Sequence, residues 1–179
     1  MARGAAAHGY WLDLSTFTPS PGDTVEVRVC SGHRYPAGDF ALKDSVTGEL
    51  TVTGPGGYVE RSRTVRGPMF RRSEFVPRAE GVYLLELPLS RPGLERPARE
   101  LRALVICGDG GDDPAAYPSG EGLEIVPLDP LGEARPGGTL RLAVMSGAEP
   151  AGFVVEITGE HGDAASYESP AGGPVRVVT

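Results

Sequence analysis

The chain has 179 residues, 40 % of them hydrophobic and 23 % charged, which is enough apolar material for a packed core and excludes an intrinsically disordered chain. Its net charge of −7 excludes the basic face that binding a phosphate backbone requires, so a nucleic-acid partner is not expected and a cation is the more natural ligand. No run of apolar residues reaches the ~18 of a membrane-spanning helix. Glycine (26) and proline (17) make up close to a quarter of the residues and punctuate short alternating apolar runs, the composition of an all-β protein rich in turns. Basic charge is almost all arginine, with Lys43 the only lysine, which reads as a compositional habit of the genome.

The chain opens with Met-Ala-Arg-Gly-Ala-Ala-Ala, too short in apolar residues for a signal peptide, yet Ala5-Ala6-Ala7 has the small-residue character of a cleavage site. The expectation is an exported, periplasmic protein whose mature form begins near His8, with Met1 an extraneous start. A first strand is expected over Tyr10–Phe17, with Trp11 as a core anchor, broken by Pro19, Pro21 and Gly22. The clearest strand is Thr24–Cys30, in which Val25, Val27 and Val29 share one face and charges take the other. A ten-residue loop holding His33 and Asp39 follows. Shorter strands are expected at Leu50–Thr53, Tyr58–Arg63 and Met69–Val76, with Arg61, Arg63, Arg66, Arg71 and Arg72 on outward faces that block edge-to-edge pairing.

In Ala79–Leu87, Gly81 turns the corner and Tyr83 enters a strand. The arrangement resembles the tyrosine corner of immunoglobulin-like sandwiches, the alternative being an ordinary strand tyrosine. Leu101–Cys107 completes seven or eight strands over ~100 residues, the size of one such sandwich. Residues 108–121 read as a Gly/Asp/Pro linker, in which Asp109, Asp112 and Asp113 lack the calcium-loop pattern. Beyond it, Pro136–Val144 repeats Pro21–Val29 almost position for position. The fold expected is therefore two tandem immunoglobulin-like β-sandwich domains, 8–107 and 122–179. The second reads as incomplete, through truncation or because a partner supplies strands.

Three histidines and two cysteines carry the chemistry on offer. With a free terminus at His8, its α-amine and ring nitrogen chelate one metal ion. With a terminus at Ala6, amine, two amides and imidazole wrap Ni²⁺ or Cu²⁺ in the square plane those ions favour. Otherwise His8 is a histidine in a loose tail. His33 follows the clearest strand in a loop, where a neutral imidazole is a common metal ligand but a lone histidine is more often a solvated side chain, so only its pairing with His8 marks it. The ends of the first two strands that carry His8 and His33 lie either close together or a strand length apart. His161 sits in a turn and reads as incidental. Cys30 and Cys107 end two strands and read first as a disulfide, second as thiolate ligation beside His33; two cysteines are too few for a structural zinc site. No Gly-x-Ser-x-Gly elbow or convincing triad is present, so the expectation is a protein that is not an enzyme.

The run His8-Gly-Tyr-Trp-Leu-Asp, a Pro21-Gly22 strand, Gly32-His33-Arg-Tyr-Pro, Gly81-Val-Tyr and a second Pro136-Gly137 strand together resemble the NikM-like family of periplasmic cobalt/nickel-uptake components. The resemblance implies an exported β-sandwich that binds Ni²⁺ or Co²⁺ or delivers it to a membrane metal transporter, and it carries onto His8 and His33 alone. Cys30 and Cys107 are not part of that pattern, and the second domain falls short of its last strands. The rival expectations are a structural or adhesive immunoglobulin-like module and a periplasmic copper carrier.

Overall fold

The computed structural model describes residues 9–33, 35–90, 99–109, 123–130, 139–147, 149–150, 154–158, 164–168 and 175–178. The chain divides into two compact units, Met1–Gly108 and Asp109–Thr179. Among the described residues there is no α-helix, and none is long and apolar enough to cross a membrane; the fold is an all-β sandwich.

The described residues of the first unit form eight strands: β1 (Gly9–Leu14), β2 (Val25–Gly32), β3 (Leu50–Gly54), β4 (Tyr58–Ser62), β5 (Val65–Arg66), β6 (Arg71–Phe75), β7 (Gly81–Leu89) and β8 (Arg99–Cys107). They form two four-stranded antiparallel sheets, β1-β2-β6-β5 and β4-β3-β7-β8. Read in chain order, these are the A-B-E-D and C′-C-F-G sheets of an immunoglobulin-like sandwich. The core lies between them because alternation along each strand sends one set of side chains inward. Leu12 and Leu14 of β1, Val25, Val27 and Val29 of β2 and Phe75 of β6 meet Leu50, Val52, Leu85, Leu87 and Val105 of the opposite sheet. Beyond β1 the chain crosses to the second sheet, where the backbone carbonyls of Phe17 and Pro19 accept from the N–H groups of Ile106 and Gly108 at 2.9 and 3.0 Å. Those bonds cover part of the outer edge of β8, which would otherwise offer unpaired backbone groups to another chain.

The tyrosine corner is present. The Tyr83 hydroxyl donates to the carbonyl of Ala79 at 3.0 Å and accepts from the backbone N–H groups of Arg78 and Ala79, each at 3.1 Å. Its ring packs edge-on to Tyr58, centroids 5.6 Å apart, and against Phe75 at 5.9 Å. Gly54 lies beneath it, where a β-carbon would come within 2.4 Å of the ring.

Three expectations are corrected by strand parity and sheet membership. Trp11 is not a core anchor: Leu12 and Leu14 face inward, so Trp11, one residue out of phase, lies half-buried on the outer face of its sheet. Arg71 is not an outward edge residue, since β6 is an interior strand and Arg71 has the inward parity of Phe75. It is 5 % exposed. Its Nε donates to Thr64 Oγ1 at 2.7 Å, Nη2 to the Thr64 carbonyl at 2.5 Å, and Nη1 to the Leu42 carbonyl at 3.1 Å and to Asp44. Together with the Ser62–Ser73 hydroxyl pair at 2.8 Å, these bonds fill the open side of the sandwich where β4 and β5 end the two sheets. Cys30 and Cys107 are both free and buried. They do not end neighbouring strands: β2 and β8 belong to different sheets, Cys107 faces the core, and Cys30 follows the inward-facing Val29 and so takes the outer face.

The second unit holds β9 (Leu123–Pro127), β10 (Thr139–Ser146), β11 (Glu149–Pro150), β12 (Val154–Thr158), β13 (Ala164–Glu168) and β14 (Val175–Val178). Strand β10 pairs with β9, β11 and β14, and β12 pairs with β13. The sequence repeat is structural. In the first unit the Ser15 N–H donates to the Glu26 carbonyl and the Glu26 N–H to Ser15 Oγ, both at 3.0 Å. In the second, at the matching position of the repeat, the Leu128 N–H donates to the Arg141 carbonyl at 2.9 Å and the Arg141 N–H to Asp129 Oδ2 at 2.7 Å. The Arg141 guanidinium also holds Asp129, and those hydrogen bonds keep its carboxyl below the ordinary value.

Candidate functional site

The first two strands bring one end of the molecule together. β1 and β2 pair antiparallel in a register that sets Trp11 against Cys30, Tyr10 against Ser31 and Gly9 against Gly32. Of the two placements open from the sequence, the strand ends bordered by His8 and His33 are therefore neighbours. His33 is the residue after Gly32 and begins a loop that returns to β2 at Asp39 and Phe40. His8 lies outside the described residues, as do His161, Asp112 and Asp113; Asp109 is described and exposed.

The loop is fastened at its far end. The Asp39 N–H donates to the Ser31 carbonyl at 2.8 Å, and the hydroxyl of the fully buried Ser31 donates to the Phe40 carbonyl at 2.5 Å. Gly32 permits this return because a β-carbon there would sit 2.9 Å from the Asp39 backbone nitrogen and 3.0 Å from its carboxylate. One carboxylate oxygen, Asp39 Oδ2, then accepts from the His33 backbone N–H at 3.0 Å and lies 2.6 Å from the His33 ring nitrogen Nδ1. The two side chains are 47 % and 46 % exposed, so the pair is open to solutes while its geometry is set by the sheet below.

Two aromatic rings meet where the loop passes β1. The Trp11 indole N–H donates to the Pro36 carbonyl at 3.3 Å, and its ring meets Tyr35 edge-on, centroids 6.1 Å apart. The Tyr35–Pro36 peptide bond is cis. Arg28, next along the outer face of β2, is held by Glu26 and Asp13 and lies 5.3 Å over the Phe70 ring.

Cys30 is beneath this loop, its β-carbon 3.5 Å from where a Gly38 side chain would begin. Burial pushes its thiol up to about 11, so at neutral pH it is the uncharged thiol. Among the described residues no three or more His, Cys, Asp or Glu side chains converge, and the described part of the site holds one imidazole hydrogen-bonded to one carboxylate. That does not fit a closed four-ligand structural centre.

The pairing of Asp39 with His33 was not legible in advance. Six residues separate them through a loop containing Pro36 and Gly38, and only the Ser31 anchor and the bare Gly32 bring the carboxylate back. The sequence signal, an Asp in the same Gly/Pro-rich loop as a histidine, does not specify a contact.

No curated protein matches the sequence. The model of DUF4198, a domain of unknown function, matches residues 5–179, and the chain belongs to that family.

Proposed function

We infer that this chain is a non-enzymatic, exported binding protein for a divalent transition-metal ion, nickel or cobalt, which it passes to a membrane metal transporter. The observation that carries this reading is the β1–β2 register. Its last pair is Gly9 with Gly32, and in sequence His8 precedes the first glycine and His33 follows the second. His33 thus continues directly from the described end of β2, and His8 is the residue before Gly9 in the sequence. In this reading the two imidazoles bind one ion, and a free amine at His8 adds a third nitrogen. Neutral imidazole suits nickel, cobalt, copper and zinc alike, and the general stability order favours copper, so the preferred ion is read from competition between metals. The resemblance to NikM-like components supports nickel or cobalt on the same two histidines.

The test is calorimetric titration of Ni²⁺, Co²⁺, Cu²⁺ and Zn²⁺ into protein beginning at His8, into the form beginning at Met1, and into His33→Ala of each. The expected result is tight one-to-one binding by the form with His8 free, weakened at least tenfold by His33→Ala and weakened at acid pH, because bound nitrogens must surrender their protons. Equal, weak binding by both forms, unmoved by His33→Ala, overturns the reading in favour of a structural or adhesive module.

A further inference from the structure

We propose that Asp39 is a positioning residue for His33: it holds the ring with its proton on Nδ1, so that Nε2 is the nitrogen that takes the metal. The proposal rests on the metal-binding reading above, and it gives Asp39 a role that acts through His33. A carboxylate that receives one ring N–H of a histidine fixes both tautomer and ring orientation, and raises the basicity of the other nitrogen. Asp39 has the geometry for that task, with Oδ2 2.6 Å from Nδ1.

What distinguishes it from a chance surface pair is how firmly the carboxylate is held. The same Oδ2 accepts the His33 backbone N–H at 3.0 Å, so ring and backbone of one residue share one acceptor. The Asp39 N–H is tied to Ser31, which is fully buried and whose hydroxyl also holds the next residue, Phe40. Gly32 leaves the space the returning loop occupies. An exposed ion pair between two mobile side chains contributes almost nothing. Here three of the four connections run through the backbone, so the order is already present before a ligand arrives, and little is lost on binding.

A free imidazole in water prefers its proton on Nε2, so the Nδ1–H form in metal-free protein is a signature that Asp39 must impose. The experiment is long-range ¹H–¹⁵N correlation on metal-free, ¹⁵N-histidine-labelled full chain at pH 8, with His33 assigned by its loss in His33→Gln. Wild type is expected to show a protonated Nδ1 and an unprotonated Nε2. Asp39→Asn keeps an oxygen for the backbone N–H but removes the charge, and is expected to return most of the population to Nε2–H and to weaken nickel binding 10- to 100-fold. Gly32→Ala, whose added β-carbon presses on the Asp39 backbone nitrogen and carboxylate, is expected to do the same by displacing the loop. A wild-type ring already in the Nε2–H form, or a tautomer unmoved by Asp39→Asn, overturns the proposal. A tautomer set by Asp39 in a protein that takes no nickel overturns the metal reading instead, so the two failures are distinguishable.

Discussion

Arg71→Met removes a guanidinium from a buried place while keeping most of its apolar stem. Arg71 supplies donors to Thr64 Oγ1 and to the carbonyls of Thr64 and Leu42. Methionine replaces none of them. Each lost bond in such surroundings costs about 1 kcal/mol, so the sandwich should lose about 3 kcal/mol. The Asp44 side chain is 83 % exposed and rehydrates, so its ion pair adds little to that sum. Trp11 is the only tryptophan and stands on β1, so its fluorescence during urea unfolding reports this sandwich. With a urea dependence of about 1–3 kcal/mol per molar, the midpoint should fall by roughly 1–3 M. Arg72→Met, one residue along the same strand and facing out, is the control and should change stability by less than about 0.5 kcal/mol. If both variants fall within that margin, Arg71 is a surface arginine after all and the account of how the sandwich is closed fails.

Tyr83→Phe should cost about 1–3 kcal/mol, because the Ala79 carbonyl loses its donor and two backbone N–H groups lose their acceptor; a loss under 0.5 kcal/mol by the same fluorescence assay would show the corner to be ornamental. Gly54→Ala drives a methyl into the Tyr83 ring and should destabilise by about 1–3 kcal/mol or more, read as a lowered melting temperature, whereas Gly56→Ala, with open space around it, should show only the smaller strain of its positive φ. Burial raises the Cys30 thiol from 9.0 to about 11 and the Cys107 thiol in the same direction. The folded state thus retains protons that the unfolded state gives up, so the contribution is whole below pH 9 and is lost as pH rises from 9 toward 11. Cys30→Ala should flatten that alkaline loss of stability, and in native wild type both thiols should resist a disulfide reagent at pH 8 until urea unfolds the chain.

Much of the first unit follows from local rules. The Val25, Val27, Val29 alternation sets β2 and its inward face, Pro-Gly pairs mark the turns, and Gly81 before Tyr83 announces the corner, because side-chain parity and turn chemistry act over a few residues. The Pro136–Val144 repeat carries the same information into the second unit, and the Arg141–Leu128 bond shows it conserving a backbone contact as well as a strand. β13, Ala164–Glu168, is not legible in the sequence because Ala-Ala-Ser carries little strand preference and pairing with β12 makes it a strand.

Tertiary structure decided whatever depends on which strand sits beside which. One residue of phase sends Trp11 outward and Leu12 inward. The interior place of β6 buries Arg71, and membership of opposite sheets parts Cys30 from Cys107. The candidate site is of this second kind. His33 can be read from the sequence, but the pairing of the strand end before it with Gly9 is a product of the β1–β2 register, and the hold of Asp39 on His33 is a product of a loop folded back through a glycine onto a buried serine. Residue type and spacing follow from the order of amino acids, whereas contacts between distant segments arise only when the core fixes the sheets against each other.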